Sequence, residues 1–460
     1  MGQTSSRTGY QYPSLEKEDR HVRLLTLHAS SDENARIECT VAPHSLNWKP
    51  SYEALSYTWG DPGDVCPVPI QFNGHPRNVS TNLEAALRAL RYSEYPRVLW
   101  IDALCINQED DSEKSRQVAM MGSIFECARN VVIWLGPRSD DSDSAMSVIS
   151  NLHGIDDFDH IGEADWKALE NLFGRAWFKR IWVVQEFKRG REIFIQCGKQ
   201  SFNWDEAGLA LKGFWTSVDS VDQKHIRLLG ETGKVVSMAY TRVDLPIDGT
   251  FTPEEAAGHL VRILRIYGPC RATNPRDKIY GLLGLSNVFS FPGCNPPAID
   301  YSISVEKVYK DWARFLITTQ KSLDLLYITQ RMEHDQALPS WVPNWRTARH
   351  DLSLTLDVFR TSFTYTGPRV ENYETSINID LTGSILSVKG FVITTLTKSC
   401  MFFDPDPEFI SSKLSSQPQK TLLQGCLTMG CTLKNAAREC TALDLTQVML
   451  LTSCSREFRL

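Results

Sequence analysis

The chain has 460 residues, 42% of them hydrophobic and 23% charged, which marks it as globular rather than disordered. That length exceeds one ordinary domain and predicts two or three compact units. A formal net charge of −6 removes the electrostatic case for a nucleic-acid partner. No run of about 18 apolar residues is present to span a membrane, and the N-terminus lacks a signal-peptide pattern.

Met1-Gly2-Gln3-Thr4-Ser5-Ser6 fits the myristoylation pattern, which makes Gly2 a lipidation candidate. The competing reading is a flexible polar tail. One acyl chain anchors weakly, so Gly2 implies at most reversible visits to a membrane. The tail and a lead-in strand occupy residues 1–45.

Between 46 and 205 the pattern alternates. Thr81-x-x-Glu84 reads as a capping box, followed by Leu83, Ala86, Leu87 and Leu90 at helical spacing. A buried strand over 97–101 comes next. Asp110 and Glu113 then open a helix whose apolar face holds Val118, Met121, Phe125 and Ala128. Val131–Leu135 is another buried strand, closed by Gly136-Pro137. The aspartates between Asp140 and Asp165 read as a solvated acidic loop, with a metal site a remote second choice. A helical run from Ala164 to Phe187 precedes a further strand, Glu192–Cys197. This order predicts a parallel sheet with flanking helices.

Residues 206–350 read as mostly helical. Thr252-Pro253-Glu254-Glu255 is a helix start with a capping glutamate, and Asn274-Pro275 opens another helix that Gly284 can end. Beyond residue 350 the pattern turns β-like, with a hairpin expected between Ile377–Leu381 and Ile385–Leu396.

The chemistry concentrates in Leu99-Trp100-Ile101-Asp102-Ala103-Leu104-Cys105-Ile106-Asn107-Gln108, a buried strand ending in polar groups. The carboxyl ends of strands are where open α/β sheets bind ligands. Asp102, Asn107 and Gln108 are therefore site candidates, against the reading that they only tie a tight turn. Cys105 has no local histidine partner and reads as an inert buried thiol. The twelve cysteines run from Cys39 to Cys454 without a Cys-x-x-Cys pair or zinc-ligand spacing, so neither disulfides nor a metal are expected. Neither a Gly-x-x-x-x-Gly-Lys-Ser/Thr loop nor a Gly-x-Gly-x-x-Gly turn occurs, nor a Gly-x-Ser-x-Gly elbow, nor a His-Glu-x-x-His helix.

Together with Tyr52-Glu53-Ala54-Leu55-Ser56-Tyr57-Thr58-Trp59-Gly60-Asp61 and Arg175-Ala176-Trp177-Phe178-Lys179-Arg180-Ile181-Trp182-Val183-Val184-Gln185-Glu186, that strand resembles the fungal heterokaryon-incompatibility (HET) domain family. Looser likeness runs on through Asn274-Pro275-Arg276-Asp277-Lys278-Ile279-Tyr280-Gly281 and Leu338-Pro339-Ser340-Trp341. The resemblance implies a cytoplasmic fungal protein of non-self recognition whose activation ends in growth arrest or programmed cell death. It would act through protein partners, with homo-oligomerisation a further expectation.

Trp182-x-x-x-Glu186 also resembles a segment of Toll/interleukin-receptor (TIR) domains, to which HET domains have been likened. The fold class implied is α/β, a TIR-like, flavodoxin-like parallel sheet, followed by the helical region and a small β-rich part. On that analogy Glu186 is a catalytic residue for cleaving NAD, which would be a substrate rather than a cofactor. Asp61 and Asp102 would share the crevice, and Trp100 or Trp182 would stack on a ring. The alternatives are a core tryptophan beside a surface carboxylate paired with Lys179, Arg180 or Lys188, and a degenerate HET protein that serves only for interaction.

Overall fold

A computed structural model describes residues 10–16, 20–60, 63–66, 68–139, 141–151, 161–205, 252–286, 288, 289, 291, 294–322, 324–329 and 337–347, and the strands within 377–390 and 456–459. The chain divides into two compact units between Val305 and Glu306.

The first unit is built on a nine-stranded sheet with helices between its strands. Its strands are β1 (His21–Leu27), β2 (Glu38–Ser45), β3 (Glu53–Ser56), β4 (Ile70–Phe72), β5 (His75–Arg77), β6 (Arg97–Trp100), β7 (Asn130–Trp134), β8 (Ile193–Cys197) and β9 (Gln200–Asn203). Their order is β5-β4-β2-β1-β6-β3-β7-β8-β9. The four central strands β6, β3, β7 and β8 run parallel, with Ala54 aligned with both Trp100 and Val131. Outside them the pairings are antiparallel except β2 with β4, which is parallel, so the sheet is mixed and not parallel throughout. The flanking strands come as hairpins, such as β8–β9, which turns at Gly198 with φ +56. Tight turns of that kind can join only antiparallel neighbours. The parallel strand β7 is buried at every position, which is why it reads as an unbroken apolar run.

Among the described residues the helices of this unit are α1 (Thr81–Leu90), α2 (Asp102–Cys105), α3 (Asp111–Ala119), α4 (Met121–Cys127), α5 (Ser142–Ser150), α6 (Glu163–Phe173), α7 (Val183–Arg189), α8 (Pro253–Tyr267) and α9 (Asp277–Leu283). The cap of α1 is Ser80, whose hydroxyl accepts from Leu83 N at 3.2 Å, and not Thr81 as the box pattern predicts. Thr81 instead turns its hydroxyl to Asp64, and Glu84 pairs with Arg88 one turn on. Asp110 caps α3 as expected, and Thr252 with Glu255 closes a complete capping box on α8. The supposed acidic loop contains α5, which buries Ala145, Met146 and Ile149. The helical run expected over 164–187 is broken. It ends as α6 at Gly174, passes through a 3-10 turn at Ala176–Lys179, and restarts as α7.

Gly190 ends α7 where a Cβ would lie 2.6 Å from both Ile193 Cδ1 and Val131 Cγ2. The valine belongs to the rigid central strand, so it has little room to yield. Gly190→Ala is therefore expected to destabilise the fold by about 1–3 kcal/mol through overpacking, read as a lowered midpoint in urea unfolding.

The second unit opens with α10 (Val305–Gln320), whose buried stripe includes Val308, Tyr309, Trp312, Ala313 and Leu316, followed by α11 (Asp324–Thr329). Trp345 packs edge-on against Tyr309 at 5.0 Å, and Arg346 pairs with Glu306. Three strands, β10 (Ile377–Ile379), β11 (Leu386–Gly390) and β12 (Arg456–Arg459), form an antiparallel sheet. The turn of the expected hairpin, and the chain from 391 to 455, lie outside the described residues. Among the described residues no helix is long and apolar enough to cross a membrane.

Candidate functional site

The carboxyl ends of β3 and β6, the 3-10 turn and α7 bring one polar cluster together. Its floor is closed. Glu186 is 3% exposed and accepts a short hydrogen bond from the Ser56 hydroxyl, which in turn accepts from Trp177 Nε1 at 2.8 Å. The rim is half open. Asp102 accepts from Trp59 Nε1 at 2.8 Å and from the backbone N–H of Ala103 at 2.7 Å, and Trp59 remains 43% exposed. Between floor and rim, Arg180 donates to the carbonyl of Tyr57.

Burial governs the electrostatics. It pushes Glu186 up to about 7, an effect that Arg180 and the Ser56 hydroxyl oppose and the neighbouring Asp102 reinforces. Asp102 is raised for the same reason, against the pull of Arg180 and the hydrogen bond from Trp59. The buried Tyr57 hydroxyl, facing Asp102, is held well above its ordinary range by burial and by that carboxylate. A third carboxylate, Asp277, is also raised by burial, and Arg180 opposes that shift too. Arg180 thus acts on all three carboxylates, with Lys114 and the Trp182 and Tyr301 hydrogen bonds weighing more at Asp277.

The predicted residues separate accordingly. Asp102 and Glu186 do share a neighbourhood. Glu186 is no surface charge, and its hydrogen-bond partner is Ser56 rather than a flanking cation. Trp182 sits four residues before Glu186 but sends its Nε1–H to Asp277 Oδ2 at 3.0 Å, away from the Ser56–Glu186 pair. Trp100 is wholly buried, edge-on to Phe125 at 5.6 Å, and belongs to the core. Asn107 and Gln108 tie the turn. The Asn107 side chain accepts from Glu109 N, and Gln108 Nε2 donates to the Asp102 carbonyl at 3.1 Å. Asp61 and Gly2 lie outside the described residues.

Cys105 is buried and its thiol is pushed up to about 12 by burial, so it is no nucleophile at neutral pH. Among the described residues the cysteines with a resolved environment are free thiols, and no group of three or more His, Cys, Asp or Glu is placed to hold a metal ion. Read along the chain, Arg180 stands only as a surface partner of Glu186, and Ser56, Trp177 and Asp277 are missed as parts of the cluster. All of them lie inside the quoted motifs, Asp277 in the looser one, and that membership was the available signal.

These geometric partners coincide with a recognised family. Residues 52–186 match the family model described as heterokaryon incompatibility protein (HET). The chain is also similar to heterokaryon incompatibility protein 6, OR allele, of Neurospora crassa, at 29% identity over 412 residues. That similarity covers 73% of this chain and 59% of the relative, so the chain spans about three-fifths of the length of that curated protein. No solved structure matches the chain. Residues 52–186, which hold Ser56, Asp102, Trp177, Arg180 and Glu186, are thus where this chain is similar to the heterokaryon incompatibility protein (HET) family.

Proposed function

We propose that this chain is a fungal protein of heterokaryon incompatibility, in which the HET domain responds to non-self and triggers growth arrest or cell death through cytoplasmic protein partners. What supports the reading, beside the family match, is a single convergence. Residues 56–59, 102 and 177–186, drawn from three separated motifs, meet in one buried polar centre. Such a centre is costly to bury, and a purely structural core would be filled more cheaply with apolar side chains. Introduction of the chain into Neurospora crassa, beside Arg180→Gln and Ser56→Ala variants at matched protein level, tests it. Growth arrest with the wild-type chain and its loss in both variants is the expected result. Normal growth with the wild-type chain in incompatible and compatible strains alike would overturn the reading and leave a degenerate HET protein.

A second reading, NAD cleavage by a TIR-like fold, draws on two observations. The parallel core runs β6-β3-β7-β8, which in order of appearance is 2-1-3-4, as in flavodoxin-like sheets. Glu186 also carries the raised proton affinity that acid–base sites use. The reaction breaks the bond between ribose C1′ and the nicotinamide nitrogen, and the electron pair leaves on nicotinamide. Water adds at C1′ and gives up a proton. An ionised Glu186 would stabilise the oxocarbenium-like ribose in between. Because Ser56 covers that carboxylate, the rim at Trp59 must open for substrate to reach it. A fall in cellular NAD that Glu186→Gln abolishes supports this chemistry, whereas arrest with NAD intact removes it.

A further inference from the structure

The turn that carries Arg180 is held from outside the matched stretch 52–186. Arg180 bridges in parallel to Arg271, with Ile181 N donating to the Arg271 carbonyl at 2.9 Å and Arg271 N donating to the Lys179 carbonyl. Six residues past Arg271, Asp277 at the start of α9 takes the Trp182 indole N–H on one carboxylate oxygen, at 3.0 Å, and the Tyr301 hydroxyl on the other, at 2.7 Å. The segment between is itself pinned. Arg276 donates to the Ile303 carbonyl at 2.8 Å, and Lys278 reaches the Gly268 carbonyl at 2.7 Å beyond the end of α8. A Cβ at Gly281 would stand 3.1 Å from Ile181 and 3.4 Å from Trp182, so the backbone of α9 lies directly on this turn.

Resting on the reading of the Glu186–Arg180 centre given above, we propose that Asp277 is a positioning residue for it, fixing the 179–182 turn through Trp182, and that residues 270–284 complete the HET centre. A carboxylate bridging two donors on different segments defines both their positions. Its neighbours hold the same turn through the backbone, and the indole bond adds a side-chain tie at Trp182. Asparagine keeps an acceptor for Trp182 and an amide for the Tyr301 oxygen, whereas alanine keeps neither.

The test is hydrogen exchange on the full chain, read beside the growth response. Asp277→Ala is expected to speed exchange of the 181–187 amides about tenfold while those of β3 and β7 keep wild-type protection, and to abolish the response. Asp277→Asn is expected to stay within about twofold of wild type and to retain it. Unchanged protection in the alanine variant, equal acceleration of all core amides, or an asparagine variant as impaired as alanine would each overturn the proposal. If the alanine variant does not fold, Tyr301→Phe decides. It removes one donor only, and faster exchange confined to 181–187 supports the role, while none overturns it. Arg180→Gln separates the two levels: if that variant keeps the growth response, the centre itself was misread, whatever the amides near Asp277 do.

Discussion

Glu186→Gln is expected to stabilise the fold by up to about 3 kcal/mol above pH 7 and to change nothing near pH 4. Burial raises the carboxyl of Glu186 from its ordinary 4.5 to about 7, so the folded protein holds this proton where the unfolded chain has already released it. The stability that the protonated group contributes is full below pH 4.5, declines between 4.5 and 7, and is lost above 7. Glutamine resembles the protonated acid in shape and still accepts from Ser56, but it never ionises. Asp102 and Asp277 are shifted in the same direction, while Glu53 and Asp300 are shifted downward and contribute with the opposite sign. The difference between variant and wild type cancels the groups distant from Glu186. Urea unfolding across pH 4 to 8 measures it. A difference that stays flat with pH would mean that Glu186 is solvated and ordinary. The consequence for function is direct: a variant more stable than wild type that loses activity has lost chemistry rather than fold.

The sequence carried the fold where the signal is local. Central strands such as β7 show unbroken apolar runs because both faces are buried, and α3 and α8 announce themselves by caps that act within three residues. The mixed character of the sheet was not legible, since strand pairing is a long-range choice that leaves no mark on β1 or β2 themselves. Nor was α5, where three apolar residues sit among serines and aspartates that favour turns. In the site, Asp102 and Glu186 stood out as carboxylates in apolar company. What each of them touches did not. The hydroxyl that holds Glu186 lies 130 residues away in sequence, and the helix spacing that suggested a Trp182–Glu186 pair described neighbours on one helix end whose side chains serve different partners.

Arg23→Met is expected to cost about 3–5 kcal/mol. Arg23 points from β1 into the interior and is wholly buried. It pairs with both oxygens of Glu113 at 2.6 and 2.9 Å, and donates to the carbonyl of Cys105 at 3.0 Å and to that of Pro13 at 3.2 Å. Glu113 Oε1 also accepts from Asn107 N at 2.7 Å. One guanidinium therefore ties the N-terminal segment, the end of α2 and the start of α3. Methionine fills much of the same volume but leaves a carboxylate that is 5% exposed without its cation. The penalty comes mainly from that stranded charge, so Arg23→Met with Glu113→Gln should be less damaging than Arg23→Met alone. Denaturant unfolding of the two single variants and the double one measures this coupling. A loss below about 1 kcal/mol would describe a solvated surface pair and contradict the burial. Because α2 begins at Asp102 and ends at the carbonyl that Arg23 holds, the variant is also expected to loosen the rim of the site while leaving the Ser56–Glu186 floor intact.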